Sequence, residues 1–428
     1  MTVEIFTILT AFALVSGFIL RFWLNMRQQR FVRAHRHAVP AAFAGQVPLA
    51  AHQKAADYIC AQATLGQIRL ALDTILFLVF TWGGGLMLLH GFWDGHLDGI
   101  PRGVALIVSV VFISAIIDLP LDIYESFGLE ARFGFNRVTP KLFCVDLLKQ
   151  WLLALLLGLP ILVAALWLMR VAGDFWWLHV WLLWTGFNFL LMLVYPLWIA
   201  PWFNRFTPLA AGEVRERIEG LLERCHFSAR DIFVMDGSRR SSHGNAYFTG
   251  FGKARRIVFF DTLIERLTPA QIEAVLAHEL GHFHHRHILK RMLGVFLLSL
   301  AFLALLGALT HAPWFFAALG VAPALAGDTA LALILFILVV PLFAFFFTPL
   351  SSYLSRRDEF QADAYAVKTS SAAELAEALV KLYEDNASTL TPDPLHSRFY
   401  DSHPPAMERI ARLLDSPSSG TDKAMHAV

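Results

Sequence analysis

Long apolar runs alternate with polar segments along this chain. Seven runs approach or exceed the length of about 20 helical residues that crosses the hydrocarbon core of a bilayer. They lie at 4–24, 68–90, 103–123, 150–172, 176–200, 290–311 and 329–350. Runs of this kind predict membrane-spanning helices. We therefore expect a mainly α-helical, polytopic protein embedded in a lipid bilayer.

Two stretches carry enough polar residues to fold in water. One follows the fifth span and the other follows the seventh, so the predicted parts are 1–200 with five spans, 201–289, 290–350 with two spans, and 351–428. Within the first polar stretch, Glu213 to Cys225 has helical charge spacing, and Asp231 to Met235 and Arg256 to Phe260 read as short strands that flank a glycine-rich hairpin. We expect the two polar stretches to meet on one membrane face as a domain with a small sheet.

Basic residues indicate which side of the membrane that face lies on. Lys and Arg number five in 27–67 and four in 124–149, against one in 91–102 and none in 312–328. Short cytoplasmic loops are enriched in these residues. The apolar core of the first run is preceded by Glu4 and by no basic residue, and it is followed by Arg21, Arg27 and further arginines, which predicts an anchor and not a cleavable signal. We expect the N-terminus outside and both polar stretches, with the C-terminus, on the cytosolic side.

Composition excludes several classes of protein. Hydrophobic residues make up 57% of the chain and charged residues 16%, against roughly 25% charged in soluble domains, so a wholly water-soluble fold is excluded. The net charge is +1, which gives no field to attract nucleic acid, and we expect no nucleic-acid partner. The three cysteines lie far apart, which excludes a disulfide framework or a thiolate zinc site.

The strongest chemical motif is His278-Glu279-Leu280-Gly281-His282. It lies in a helix whose start is predicted by the capping box Thr268-Pro269-Ala270-Gln271. Histidines four residues apart share one helix face and can hold one Zn²⁺, with Glu279 beside them to reach a metal-bound water. The motif predicts one zinc ion per chain.

A third protein ligand is needed, and spacing excludes some sources. The metzincin pattern requires glycine at 285 and histidine at 288, but the chain has His285 and Ile288. His284, His285 and His287 follow the motif, yet none repeats the four-residue step from His282. We expect these three to contact lipid headgroups or backbone at the membrane boundary.

Glu359, in a predicted helix just beyond the seventh span, is the better candidate. Asp358 and Asp363 are the alternatives that the residues alone leave open. Asp363 shares a helix face with Glu359, and a carboxylate there is well placed to accept the second ring N–H of a zinc-binding histidine.

Other segments accompany these motifs. They are Phe133–Arg137, Phe203–Leu209, Asp236–Gly252, Arg256–Leu263, Asp393-Pro394, and Ser402–Pro405 with Glu408-Arg409. Together with the HExxH and Glu359–Asp363 motifs, they resemble the type I CAAX prenyl endopeptidases, which are integral-membrane zinc metalloproteases. The resemblance implies Glu359 as the third zinc ligand, Asp363 as its support or a proton carrier, and His403 as a group at the substrate or transition state. It also implies seven helices around a large hollow chamber.

These assignments give a mechanism for peptide hydrolysis. Glu279 is the expected general base, and His403 is the expected donor to the oxyanion. Residues Asn245, Ala246, Tyr247 and Phe248 read as an edge strand that pairs either with an extended peptide substrate or within the domain.

The resemblance also implies a substrate, the C-terminal three residues of prenylated CAAX proteins. A membrane-protein quality-control protease of the HtpX type is the alternative enzyme. A transporter or scaffold with structural zinc is the alternative outside the enzymes, but such a site would not need Glu279.

Overall fold

The computed structural model describes residues 1–227, 231–249 and 256–415. Within these ranges the chain forms eighteen α-helices and four strands. The helices are α1 (Val3–Ala34), α2 (Leu49–Phe80), α3 (Gly85–Asp94), α4 (Gly99–Ile123), α5 (Pro140–Leu153), α6 (Leu159–Val171), α7 (Trp176–Val194), α8 (Ala200–Phe203), α9 (Glu213–Arg224), α10 (Asp261–Arg266), α11 (Pro269–His284), α12 (His287–Thr310), α13 (Pro313–Ala318), α14 (Thr329–Ala344), α15 (Thr348–Thr369), α16 (Ala372–Asp385), α17 (Pro394–Tyr400) and α18 (Ala406–Asp415). The strands are β1 (Phe206–Pro208), β2 (Asp231–Met235), β3 (Ala246–Thr249) and β4 (Arg256–Phe260).

Seven helical segments of the described chain are long and apolar enough to cross a membrane. They are Val3–Ala34, Leu49–Phe80, Gly99–Glu130, Pro140–Val171, Gly173–Phe203, His287–Thr310 and Thr329–Thr369. Several combine two α-helices through a turn of π- or 3₁₀-helix; Ala154–Gly158, for example, joins α5 to α6. The prediction of a mainly helical protein with seven spans is confirmed.

The predicted bounds of the second span are wrong. The apolar run at 68–90 covers the end of α2 and most of α3, which are separate helices. Gly84 has a φ of +76°, a left-handed conformation that favours glycine, and it is the residue immediately before α3. A Cβ at Gly83 would lie 2.9 Å from Val79 Cα. Hydropathy alone misses this turn because the residues on both sides of it are apolar.

A four-stranded sheet lies in the polar part of the chain, in the order β1-β2-β4-β3. Both predicted strands are present, but β2 and β4 pair in parallel, with Asp231 opposite Arg256. The hairpin is instead formed by β3 and β4, which pair antiparallel. Residues 250–255, which are part of the predicted glycine-rich segment, lie outside the described residues. Within the described chain β3 pairs with β4 alone, so it is an edge strand, as predicted.

One hydrophobic core joins the two polar stretches. Ile218 of α9, Phe259 of β4 and Ile272 of α11 are fully buried in the same cluster as Leu375 of α16 and Ile410 of α18. Burying each such side chain contributes about 1.5–3 kcal/mol, so segments far apart in sequence are held together at one place. A second core packs the membrane helices, with Leu106, Leu306 and Leu335 buried in it.

Candidate metal centre

The capping box fixes where the HExxH helix begins. Thr268 Oγ1 accepts a hydrogen bond from Gln271 N, and Gln271 Oε1 accepts one from Thr268 N, each at 3.2 Å. Pro269 occupies the first helical position, where no N–H is needed. The predicted start of α11 is confirmed, and it places His278 and His282 on one face of the helix.

Gly281 lets α11 approach α15 closely. A Cβ at this glycine would lie 2.7 Å from Ala362 Cα and 2.9 Å from Ala362 O. Real side chains essentially never come so near a backbone atom, so only glycine permits this crossing. The crossing brings the two histidines of α11 to Glu359, which lies on the same stretch of α15.

Three side chains converge at that crossing. His278 Nε2 lies 3.4 Å from Glu359 Oε2, and His282 Nε2 lies 3.4 Å from Glu359 Oε1. Glu359 is 4% exposed and His278 6% exposed. One donor atom from each residue lies within 4.8 Å of the others, and His278, His282 and Glu359 are the group of His, Cys, Asp and Glu in the described chain that could hold a metal ion.

The donor set fits zinc. Buried Glu359 Oε2 makes no aligned hydrogen bond with the described residues. Two imidazole nitrogens and one carboxylate are the protein ligands that catalytic zinc sites commonly use, with a further position left for water or substrate. Asp358, one of the alternative ligands, lies instead 3.7 Å from His287 Nε2 through its Oδ1.

Asp363 supports His278 from the side away from Glu359. His278 Nδ1 lies 2.8 Å from Asp363 Oδ1, so the contact predicted between Asp363 and a histidine of the motif is present. A proton held on Nδ1 leaves the Nε2 lone pair directed toward Glu359.

Arg409 of α18 holds Asp363 in turn. Its Nη2 and Nε donate to the two carboxylate oxygens at 2.7 and 2.8 Å, and its side chain is buried. Sequence reasoning placed Arg409 in a motif but gave it no role. No spacing rule links Arg409 to Asp363, because only the tertiary fold brings α18 against α15.

The charges around His278 oppose each other. Burial and the Arg409 guanidinium lower the pKa of His278, but the neighbouring Asp363 and Glu359 carboxylates outweigh them and raise the pKa to about 9. A metal ion binds the deprotonated ring nitrogen, so its binding competes with protons.

His403 reaches the same place from the loop between α17 and α18. Its Nδ1 lies 2.8 Å from Glu359 Oε2, and its side chain is 63% exposed. Asp393 caps α17 by accepting hydrogen bonds from the backbone N–H groups of Leu395 and His396, and it pairs with Arg27 of α1 at 2.8 Å. This anchoring of α17 to the first span positions the His403 loop.

A cavity of about 1140 Å³ opens beside the three converging residues. It is lined by Glu279, His278, His403 and Arg409 on one side and by polar side chains of α1 and α2, including Arg21 and Asp73, on the other. The cavity therefore joins the predicted catalytic groups to the membrane helices. Ionisable residues within spans are costly against lipid, and these two face the cavity.

The predicted substrate strand lies partly on this cavity. Asn245 and Ala246 line it. The Tyr247 hydroxyl lies 4.0 Å from Met235 Sδ, and the ring of Phe248 packs against that of Phe283 at 4.7 Å. Burial raises the pKa of Tyr247 to about 12, so this hydroxyl stays neutral.

The expectation for His287 is wrong. Lipid headgroups or backbone were predicted to surround it, but its side chain is 2% exposed. Its Nδ1 lies 3.0 Å from His282 Nδ1. The spacing rule argued against His287 as a metal ligand. It does not test whether His287 forms a hydrogen bond with a histidine that is a ligand.

Two family models match the chain. Residues 28–205 match the description "CAAX prenyl protease N-terminal, five membrane helices", and residues 208–416 match "Peptidase family M48". The second match contains the HExxH helix, Glu359 and Arg409.

Individual proteins are similar over most of the chain. The CAAX prenyl protease 1 homolog of Arabidopsis thaliana is 39% identical over 324 residues, 74% of each chain. CAAX prenyl protease 1 of Saccharomyces cerevisiae is 38% identical over 320 residues, 70% of this chain and 69% of that protein. The crystal structure of S. mikatae Ste24p aligns with a TM-score of 0.88 at 29% identity, covering 95% of this chain and 98% of that one.

Proposed function

This chain belongs to the CAAX prenyl proteases of peptidase family M48, and from that membership we propose that it is a zinc endopeptidase whose metal is held by His278, His282 and Glu359. It is an integral, multi-pass membrane metalloendopeptidase. One observation carries the residue assignment: three potential ligands converge, and one of them, His278, lines the same cavity as Glu279.

Each neighbouring side chain has a task in hydrolysis. One zinc ion per chain would supply a Lewis acid for the scissile carbonyl and would acidify a water molecule. Glu279 takes the proton from the attacking water and returns it to the leaving amine. His403 donates to the oxygen on which negative charge develops. Asp363 holds the proton of His278 on Nδ1, and Arg409 holds Asp363 in place.

The substrate peptide adds to the free edge of β3. Backbone pairing there holds the peptide extended, and Asn245 contacts it through its side-chain amide. Ala246 presents little bulk, so a peptide lies close to the backbone of β3. Tyr247 and Phe248, whose side chains contact Met235 and Phe283, hold the strand on the sheet.

The substrate class is the CAAX-type protein or peptide, from which the last three residues are removed. This proposal follows the printed names of the relatives, CAAX prenyl protease 1. A cavity lined both by the catalytic groups and by membrane helices suits a prenylated peptide. The peptide part would contact the catalytic groups, and the lipid group would contact the membrane helices. Quality control of the HtpX type is not favoured, since the Arabidopsis thaliana and Saccharomyces cerevisiae relatives are named as CAAX prenyl proteases. Membership in a peptidase family also sets aside the scaffold hypothesis.

The membrane arrangement follows from the charge of the loops. With nine Lys and Arg in the segments 27–67 and 124–149, we place those loops, the metal centre and the C-terminus in the cytosol and the N-terminus outside. The parts 1–200, 201–289, 290–350 and 351–428 then alternate between membrane and cytosolic domains.

The test uses the purified full-length protein in lipid nanodiscs. A quenched-fluorescent peptide ending in a CAAX sequence is supplied with and without a farnesyl group on its cysteine, and mass spectrometry identifies the released fragment. We expect release of the terminal tripeptide, faster from the farnesylated peptide, and loss of activity on chelation that added zinc restores. Cleavage that is equal with and without chelator contradicts the metalloprotease assignment, whereas equal cleavage of the two peptides contradicts only the prenyl preference.

A further inference from the structure

His287 contacts a proposed metal ligand from behind. Its Nδ1 lies 3.0 Å from His282 Nδ1, on the opposite side of the His282 ring from Glu359. Arg286, the residue before it, has a φ of +57°. This left-handed residue separates α11 from α12 and turns His287 back toward the metal centre. A non-glycine residue in this conformation is uncommon, and it marks a place where the fold fixes the chain direction.

The far side of the His287 ring meets only acceptors among the contacts described. Nε2 lies 2.9 Å from Gln361 Oε1 and 3.7 Å from Asp358 Oδ1. Both oxygens accept hydrogen bonds, so Nε2 carries the proton and donates it. A neutral imidazole has one N–H, which leaves Nδ1 of His287 as an acceptor.

That acceptor determines the proton position on His282. Since His287 Nδ1 accepts, His282 Nδ1 must donate, and His282 Nε2 then presents its lone pair toward Glu359 and His278. Carboxylate and carbonyl partners orient metal-binding histidines in the same manner, but here the partner is a second, buried imidazole.

We propose that His287 and Gln361 form a tautomer relay that positions His282 as a metal ligand. The proposal rests on the proposed function, since it assigns a purpose to His282 only if a metal binds there. The relay gives the two histidines different supports. His278 has the anionic Asp363 behind it, and His282 has a neutral ring behind it. Among the described contacts, His278 therefore has a carboxylate directly behind it, whereas His282 is separated from the Asp358 carboxylate by the ring of His287.

Two substitutions of His287 distinguish the effect of its hydrogen-bond acceptor from the effect of its size. His287→Leu fills the space and removes the acceptor, whereas His287→Asn keeps an oxygen close to the place of Nδ1. His284→Ala is the matched control, since His284 is exposed at the end of α11 and its ring lies against Tyr365. Zinc affinity is measured on full-length metal-free protein by competition with a chromophoric chelator, and thermal unfolding of the metal-free protein checks the fold.

We expect His287→Leu to bind zinc about 10- to 100-fold more weakly than the wild type. His287→Asn should recover most of the affinity, and His284→Ala should equal the wild type. Equal affinity in His287→Leu and the wild type overturns the relay. An equal loss in the Leu and Asn variants also overturns it, because the loss then reflects shape and not an acceptor. A wild-type protein that binds no zinc contradicts the proposed function itself.

Gln361 tests the relay from its other end and covers the case in which His287→Leu does not fold. Gln361→Glu keeps the nearer acceptor beside His287 Nε2, whereas Gln361→Met removes it and leaves only the more distant Asp358 carboxylate. We expect weaker zinc binding in the Met variant and unchanged or tighter binding in the Glu variant. Identical affinities in both variants and the wild type contradict the relay.

Discussion

Gly281 and Ala362 pack so closely that a single methyl group on the glycine would lie 2.7 Å from the Ala362 Cα. One of these residues lies within the HExxH motif, and the other lies three positions after Glu359. Their contact is the point where the two halves of the proposed metal centre meet. The separation of α11 and α15 thus sets the distance between the histidines and the carboxylate.

Gly281→Ala should push the two helices apart. The added methyl meets backbone atoms that cannot rotate away, and overpacking of this kind costs about 1–3 kcal/mol. We expect a lower unfolding temperature and weaker zinc binding. Gly294→Ala on α12 is the matched control, because a Cβ there meets nothing within 4 Å. If Gly281→Ala binds zinc as tightly as Gly294→Ala, the close approach does not set the geometry of the centre.

Glu279→Gln should separate metal binding from chemistry. The amide keeps the size of the side chain but cannot take a proton from water. Since Glu279 is not among the converging ligands, we expect the variant to retain its zinc and to lose turnover. Zinc content and the rate of peptide cleavage are measured on the same preparation. Cleavage near the wild-type rate would defeat the general-base role.

His403→Ala should reduce turnover without removing the metal. Loss of one donor to an oxyanion typically lowers kcat about 10²- to 10³-fold. His396→Ala is a useful comparison, because His396 lies on α17 and lines the same cavity. We expect a large fall in kcat for the first variant and a small change for the second. An unchanged kcat in His403→Ala makes His403 an ordinary exposed histidine.

Asp393 should make the His403 segment sensitive to acid. Burial raises the pKa of Asp393, but the ion pair with Arg27 and the backbone N–H donors outweigh burial and leave the pKa below its usual value. The carboxylate therefore stabilises the fold fully above the unfolded-state pKa of about 3.9. This contribution is lost as the pH falls through the lower, folded-state value.

Asp393→Asn tests this linkage, because the amide oxygen retains the helix cap while the charge is removed. At pH 7 we expect Asp393→Asn to lower the free energy of unfolding, and Asp393→Ala to lower it further by about 1 kcal/mol through loss of the cap. Thermal unfolding in detergent is compared at several pH values. The difference between wild type and Asp393→Asn should shrink as the pH falls below about 4. A difference independent of pH contradicts the ion-pair account.

The sequence predicts the elements that depend on local pattern. Seven spans, the capping box at Thr268 and the two strands at Asp231 and Arg256 each have a signal within a few neighbouring residues. The end of α2 at Phe80 was missed because the turn at Gly83 to Gly85 is as apolar as the helices around it. Hydropathy does not report the backbone conformation of a glycine.

Some residues of the site could likewise be predicted from local spacing, and others could not. His278, Glu279 and His282 follow from spacing on one helix, and Glu359 with Asp363 follows from spacing on another and from a family resemblance. The roles of Arg409 and His287 required the fold. Arg409 meets Asp363 across a distance of 46 residues, and His287 follows the left-handed residue Arg286 and lies 3.0 Å from His282.

The most direct measurement of the central claim is the zinc content of the purified full-length protein beside that of Glu359→Gln. Glu359 is chosen because its carboxylate faces both histidines, at 3.4 Å from each Nε2. Mass spectrometry of the metal after dialysis against a weak chelator should give one zinc ion per chain in the wild type and a large loss in the variant. An active wild-type protein without a transition metal, or a Glu359→Gln protein that holds zinc as tightly as the wild type, would contradict the account.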